Sequence, residues 1–198
     1  MIKFINLRKE VPYLILKKKY DEAINKGQKN IEAIAISSFK KESEEVNARF
    51  VNLKFIDDEE FIFFSNLKSP KSMEFQSHNQ ICALLYWSSI NAQVRIKAKI
   101  NLKSDKYNQE YFKTRSIDKN ALAISSDQSQ EIDSFESVIK KYNDTKENKD
   151  LKRCPKYWGG FSFTPYYFEF WEGHKSRLNK RSVYEKKNEK WNTKILQP

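Results

Sequence analysis

The chain has 198 residues, 39% hydrophobic and 32% charged, with a formal net charge of +11. That length supports one domain with a substantial core, and no apolar run approaches the length of a membrane span. Two histidines and two widely separated cysteines leave almost no material for a zinc site, a histidine-based triad or a disulfide framework.

In chain order, residues 12–27 read as a helix, with Pro12 in the first turn and Gly27 just past the end. The early run "VPYLIL" is broken by proline and followed by "KKK", which is not the form of a signal peptide; with free thiols, this points to the cytoplasm. "IEAIAISSF" alternates as a first strand. "NARFVNLKFI" and "EFIFFSNL" follow as a hairpin across the acidic turn "DDE". "SPKSMEFQSH" predicts a short helix with Ser69 as cap and Pro70 at its first position. "QICALLYW" is a buried strand, and "QVRIKAKINLK" shows the cleanest alternation in the chain. Helices are expected at "SDKYNQEYFKTR" and "SQEIDSFESVIKKYNDTK", then a surface loop at "NDTKENKDLKR". "GGFSFTPYYFEFWEG", "RSVYEKK" and "KWNTKILQP" supply the last strands. The fold class is therefore mainly β with flanking helices (α+β), a small barrel in a single domain over 1–198.

The positive charge favours an anionic partner, nucleic acid or a phosphorylated small molecule. Of 37 basic residues only seven are arginine, the residue whose planar fork suits phosphate. Four glycines and no phosphate-binding glycine motif mean that side chains must do most of any gripping. Five constellations each admit two readings. Arg49 and Lys54 have odd spacing, which puts them on opposite faces of a regular strand: two solvated charges, or one ligand met across a bulge or edge. Lys71, with Lys68, sits at the start of a helix, either as a surface lysine or beside N–H groups that suit a phosphate. Tyr111 and Arg115, four apart, share a helix face as a packing pair or as a phosphate clamp. Gln128 and Ser129 are polar groups ahead of a helix, as caps or as ligand contacts. In "FEFWEGHKSRLNKR", Trp171, Arg177 and Arg181 frame a basic turn or an anion site with an aromatic floor.

In this order the segments "ARFVNLK", "FFSNLKSPK", "QVRI", "YFKTR", "QSQEI", "WGGF" and "FEFWEGHKSRLNKR" resemble the pyridoxamine 5'-phosphate oxidase family over nearly the whole chain. The resemblance implies an FMN-binding split β-barrel, a homodimer with flavin at the subunit interface, and a C-terminal dimerisation and active-site segment at about 157–198. Arg49, Phe50, Val51, Asn52, Leu53, Lys54, Phe64, Ser65, Lys71, Gln93, Gln128, Ser129, Trp171 and Arg181 would line the flavin site. Lys54, Tyr111, Arg115 and Lys119 would meet the substrate phosphate, and Arg177 and Asn179 would be the catalytic pair over the substrate ring. The implied reaction is oxidation of pyridoxamine or pyridoxine 5'-phosphate to pyridoxal 5'-phosphate, with O2 as acceptor and H2O2 as product. No metal, nucleic acid or membrane is implied.

Four positions depart from the family pattern. Pro70 replaces an arginine that contacts flavin phosphate, so that grip is weaker or moves to Lys68. Lys119 replaces a serine, and Asn179 replaces a histidine. Val11 also stands where the family's lid carries a tyrosine. These departures leave a second reading, a phenazine-type oxidase on the same flavin fold. Readings from other classes are a non-catalytic flavin or vitamer carrier and a basic nucleic-acid-binding barrel.

Overall fold

A computed structural model describes all 198 residues. The elements are β1 (Lys3–Ile5), α1 (Val11–Asn25), β2 (Ala33–Lys40), β3 (Glu45–Asn52), β4 (Phe55–Asp57), β5 (Glu60–Asn66), α2 (Pro70–Ser77), β6 (Gln80–Trp87), β7 (Ala92–Leu102), α3 (Asp105–Lys113), α4 (Ile117–Ser125), α5 (Phe135–Asn148), β8 (Trp158–Glu172), β9 (Lys180–Lys187) and β10 (Lys190–Leu196). No helix is long and apolar enough to cross a membrane.

All ten strands form one curled sheet in the order β1-β4-β5-β8-β7-β6-β2-β3, with β9 on β8 and β10 on β9. β8 is the branch point. Its first part pairs with β5 from Trp158 to Phe163, and its last part pairs with β9 from Tyr167 to Glu172. Between them the register against β7 shifts, leaving Tyr166 without a partner. A bulge there accommodates Pro165, which has no N–H to offer a ladder. The result is a split β-barrel flanked by helices, as the sequence suggests.

Alternation decides which side chains fill the barrel. Val94 and Ile96 of β7, and Phe168 and Phe170 of β8, point inward with Phe61, Phe63, Phe161 and Phe163. Tyr13 and Leu16 of α1 close one side of this core. Helix α1 ends where Gly27 takes φ +75°, and the Gln28 N–H returns to the Ala23 carbonyl at 3.0 Å. Only glycine enters that left-handed conformation without steric cost.

The structure corrects four sequence expectations. The long strand expected over 47–56 is two strands: β3 pairs with β2, whereas β4 makes the hairpin with β5. Leu53, fully buried, anchors the break. β1 and α4 were not expected. The last helix begins at Phe135 behind the cap Ser134, six residues later than the pattern suggested, and runs on to Asn148 through part of the expected loop.

Candidate active site

A cleft of about 960 Å³ lies between β3, β5, the start of α2 and the turn joining α3 to α4. Its charge is one-sided. Lys3, Arg49, Lys54, Lys71, Arg115 and Lys119 line it, and no aspartate or glutamate does.

Arg49 projects from β3 opposite Ile36, on the inner side of the sheet edge. Its guanidinium donates to Glu74 at 3.0 Å and to the Ser38 hydroxyl. Glu74 is only 4% exposed, and it also accepts from Asn47 at 3.0 Å and from Ser38. A carboxylate so enclosed holds in place an arginine that lines the cleft. The break after β3 turns Lys54 back into the same cleft, which answers the parity problem that its spacing from Arg49 poses. Leu53 between them gives its side chain to the core, so only its backbone is near the site.

Lys71, 8% exposed, donates to Gln128 Oε1 and to Ser69 Oγ, each at 3.1 Å. Ser65 Oγ donates to the same Gln128 oxygen at 3.3 Å. Burial, with Arg49 nearby and only Glu74 opposing, pulls the Lys71 ammonium down to about 8. Ser69 stands at the N-cap of α2, but its hydroxyl makes no capping bond; it donates to the Asn66 carbonyl instead. Lys68 turns away, over the Tyr157 ring at 5.5 Å, and does not line the cleft, although Pro70 does.

The far wall is aromatic. Phe64 stacks on Tyr111 with centroids 4.0 Å apart and on Trp158 at 5.0 Å. Gly160 makes this possible, since a Cβ there would stand 3.0 Å from the Phe64 ring. Arg115 lies over Trp158 at 4.3 Å. It is not on the face of α3 with Tyr111, as its spacing suggested; α3 ends at Lys113 and Arg115 follows in the turn. There its Nη2 donates to the Lys119 carbonyl at 3.1 Å, and its buried Nη1 has no partner. Burial lowers the affinity of Arg115 for its proton, against Tyr111 and Cys154. Lys54 is also lowered, by burial and by Lys119 and Arg115, with Glu32 opposing. Crowded cations with a spare buried donor are the chemistry of an anion site.

Of the residues singled out in the sequence, Arg49, Phe50, Val51, Asn52, Lys54, Phe64, Ser65, Lys71, Tyr111, Arg115, Lys119, Gln128 and Ser129 line this cleft. Ser129, at φ +69°, is not a helix cap, because α5 starts six residues later. Trp158 and Glu74 were missed as site residues. "WGGF" carried a signal for Trp158, but nothing in the sequence marks Glu74 as buried.

Gln93, Trp171, Arg177, Asn179 and Arg181 lie outside the cleft of their own chain. Gln93 pairs with Trp171, and Trp171 with Arg181, across β7, β8 and β9. Their inward neighbours Val94 and Phe170 are in the core, so this row stands on the outer face of the sheet. Arg177 sits in the exposed β8–β9 loop at φ +60°. Asn179 Oδ1 accepts the His174 N–H at 3.0 Å, stapling that loop. The residues singled out in the sequence thus fall into two separate sets on one chain, one lining the cleft and one on the outer face of β7, β8 and β9.

Comparison with known proteins bears on both sets. Residues 16–147 match the family model described as pyridoxamine 5'-phosphate oxidase, and residues 158–198 match the pyridoxine 5'-phosphate oxidase C-terminal dimerisation region. The pyridoxine/pyridoxamine 5'-phosphate oxidase of Coxiella burnetii is 34% identical over 180 residues, covering 90% of this chain and 91% of its own. The protein of the same name from Leptospira interrogans is 31% identical over 178 residues, covering 88% and 82%. Among solved structures, PhzG from Burkholderia lata, in complex with tetrahydrophenazine-1-carboxylic acid, superposes with TM-score 0.89 at 24% identity, covering 94% of this chain and 92% of its own. A pyridoxamine 5'-phosphate oxidase-related, FMN-binding protein from Nostoc punctiforme gives TM-score 0.79 at 13% identity, covering 96% and 100%.

Proposed function

The chain belongs to the pyridoxamine 5'-phosphate oxidase family, and from that premise we propose that it oxidises pyridoxamine or pyridoxine 5'-phosphate to pyridoxal 5'-phosphate with FMN as cofactor and O2 as acceptor. The observation that carries this reading is the cleft with six cations, no carboxylate and an aromatic wall. It suits two phosphorylated ring compounds side by side. The partnerless buried Nη1 of Arg115 is a donor that such a ligand would satisfy.

Bound FMN would supply the two-electron chemistry, hydride acceptance from C4' and return of the electrons to O2 as H2O2; with the amine substrate, water would hydrolyse the imine so formed and release ammonia. The rest is the work of the chain's own side chains. Ser65, Lys71 and Gln128 form a hydrogen-bonded cluster that, with Arg49 beside it, would hold the flavin's phosphate end, and Glu74 keeps Arg49 in place. Lys54, Arg115 and Lys119 would hold the substrate phosphate with the Tyr111 hydroxyl. Charge-assisted hydrogen bonds of about 1.5–3 kcal/mol each make that phosphate the main handle for positioning C4'. Gln93, Trp171, Arg177, Asn179 and Arg181 would reach the cleft from a second copy, in keeping with the match of 158–198 to a dimerisation region. A homodimer would then carry two sites, each built from both chains.

The test is the absorption spectrum of the purified protein before and after anaerobic addition of pyridoxamine 5'-phosphate. A yellow protein that bleaches supports the reading, whereas flavin that stays oxidised in the presence of both phosphorylated vitamers sinks the substrate assignment. Two observations favour a second reading, a phenazine-type oxidase with an altered substrate: Asn179 is engaged in its own loop, and Lys119 adds a cation to the phosphate end. Under that reading the double variant Asn179→His, Lys119→Ser gains no activity toward pyridoxamine 5'-phosphate.

A further inference from the structure

Arg95 and Glu169 line neither the cleft nor the Gln93–Trp171–Arg181 row, yet Glu169 organises that row. It projects from the outer face of β8 between β7 and β9, directly opposite Arg95 and Val183, and is only 3% exposed. Its Oε1 accepts from Arg181 Nε at 2.9 Å, and the Nη2 of the same guanidinium stands 2.9 Å away as an ion-pair contact. Its Oε2 accepts from the Tyr167 hydroxyl at 2.9 Å and from Arg95 Nη2. Arg181 Nη1 gives one further bond, to the Gln197 carbonyl at 3.0 Å. A guanidinium has five N–H groups. Two of those on Arg181 donate within the chain, so one on Nη1 and the pair on Nη2 remain, on a fork the carboxylate holds.

We propose that Glu169 is a positioning residue: it locks the Arg181 fork, beside Trp171, in the orientation that meets the flavin in the partner subunit's cleft, and Arg95 is the counter-cation that holds the carboxylate in place. This rests on the FMN reading above. Stability alone explains the cluster poorly, because a buried ion triad is often no better for folding than apolar side chains of the same volume. Preorganisation explains it well. An unanchored arginine on an outer face samples many rotamers, and ordering it at the moment of binding weakens the complex. Burial opposes the charge on Glu169, but the bonds from Arg95, Arg181 and Tyr167 outweigh it and hold the carboxyl below its usual range. The anchor is therefore ionised throughout the neutral range.

The test separates position from charge. Two guanidiniums and one carboxylate leave a single positive charge, and the double variant Arg95→Gln, Glu169→Gln also leaves one, on Arg181. FMN affinity is measured by flavin-fluorescence titration for the wild type, this double variant, Arg181→Gln and the triple variant, with the absorption bands of the bound flavin recorded for each. Glu169→Asp, which keeps the charge but withdraws the carboxylate, is measured alongside in case the double variant fails to fold. The expected result is an FMN Kd raised about tenfold in the double variant, a smaller rise in Glu169→Asp, shifted flavin bands, and no further loss when the substitutions are added to Arg181→Gln. Wild-type affinity and bands in the double variant and in Glu169→Asp, or an equal additional loss on the Arg181→Gln background, would overturn the proposal alone. A wild-type chain that takes up no FMN would overturn the flavin reading with it.

Discussion

The Arg115 guanidinium stands 4.3 Å from the centre of the Trp158 ring, beyond the end of the helix that carries Tyr111. It rests against that ring with Nη1 unengaged. Arg115→Lys keeps the charge but loses the guanidinium's contact with the ring and its fork. The expected result is a KM for pyridoxamine 5'-phosphate raised roughly tenfold or more, with kcat changed much less. Steady-state oxygen uptake measures both, and an unchanged KM would remove Arg115 from the phosphate site.

On the proposed function, Lys71 should make FMN binding depend on pH. With its ammonium drawn down to about 8 in the ligand-free chain, the cation that meets a phosphate is progressively lost above that pH. FMN affinity should fall as pH rises from 8 toward 9.5, and Lys71→Met should abolish that slope while weakening binding overall. The effect on the stability of the ligand-free protein has the opposite direction. Between about 8 and the ordinary value of 10.5 the unfolded chain holds more protons at this residue than the folded one. The Lys71 contribution therefore favours folding more as pH rises through that window. Fluorescence titration and urea denaturation at several pH values read the two trends.

Glu74 holds Arg49 from below the cleft, enclosed by Ser38 and Asn47. Glu74→Ala leaves that arginine without its buried partner, an imbalance that costs about 3–5 kcal/mol when a buried pair is broken. Urea unfolding should show a lower midpoint with little change in slope, and FMN should bind more weakly. Full retention of stability would mean that Arg49 finds another partner.

Asn179 cannot titrate, so the wild-type pH–rate profile should carry no ionisation from this position between pH 5.5 and 7.5. Asn179→His should introduce one near the ordinary histidine value of about 6.5. Profiles of kcat/KM for the two proteins decide it. Identical profiles would place residue 179 away from the reacting centre.

Much of this arrangement was legible in the sequence. Alternation in "QVRIKAKINLK" gave β7 and its two faces, and the ordered motifs found most of the cleft. The order of residues did not reveal where a strand stops being one strand. Leu53 reads as another apolar position in a β pattern, and only its burial at the β3–β4 break brings Lys54 round to Arg49. Helix α4 escaped because Asn120, on its buried side, looks like a surface residue; its amide in fact serves the Phe112 and Leu151 carbonyls. Glu74 and Glu169 escaped for the same reason. A buried carboxylate is recognisable only by the cations around it, and those come from distant parts of the chain.

Placing Lys71 in the cleft and Arg181 outside it has a genetic consequence. If two chains share each site, protomers bearing Lys71→Met and protomers bearing Arg181→Gln, assayed at an FMN concentration too low to load either homodimer, should complement one another when mixed and reannealed. Random pairing would make half the dimers hybrid, each with one intact centre and one doubly defective centre, so about a quarter of wild-type turnover should return. A heterozygote carrying both alleles would then retain an oxidase that neither allele encodes by itself.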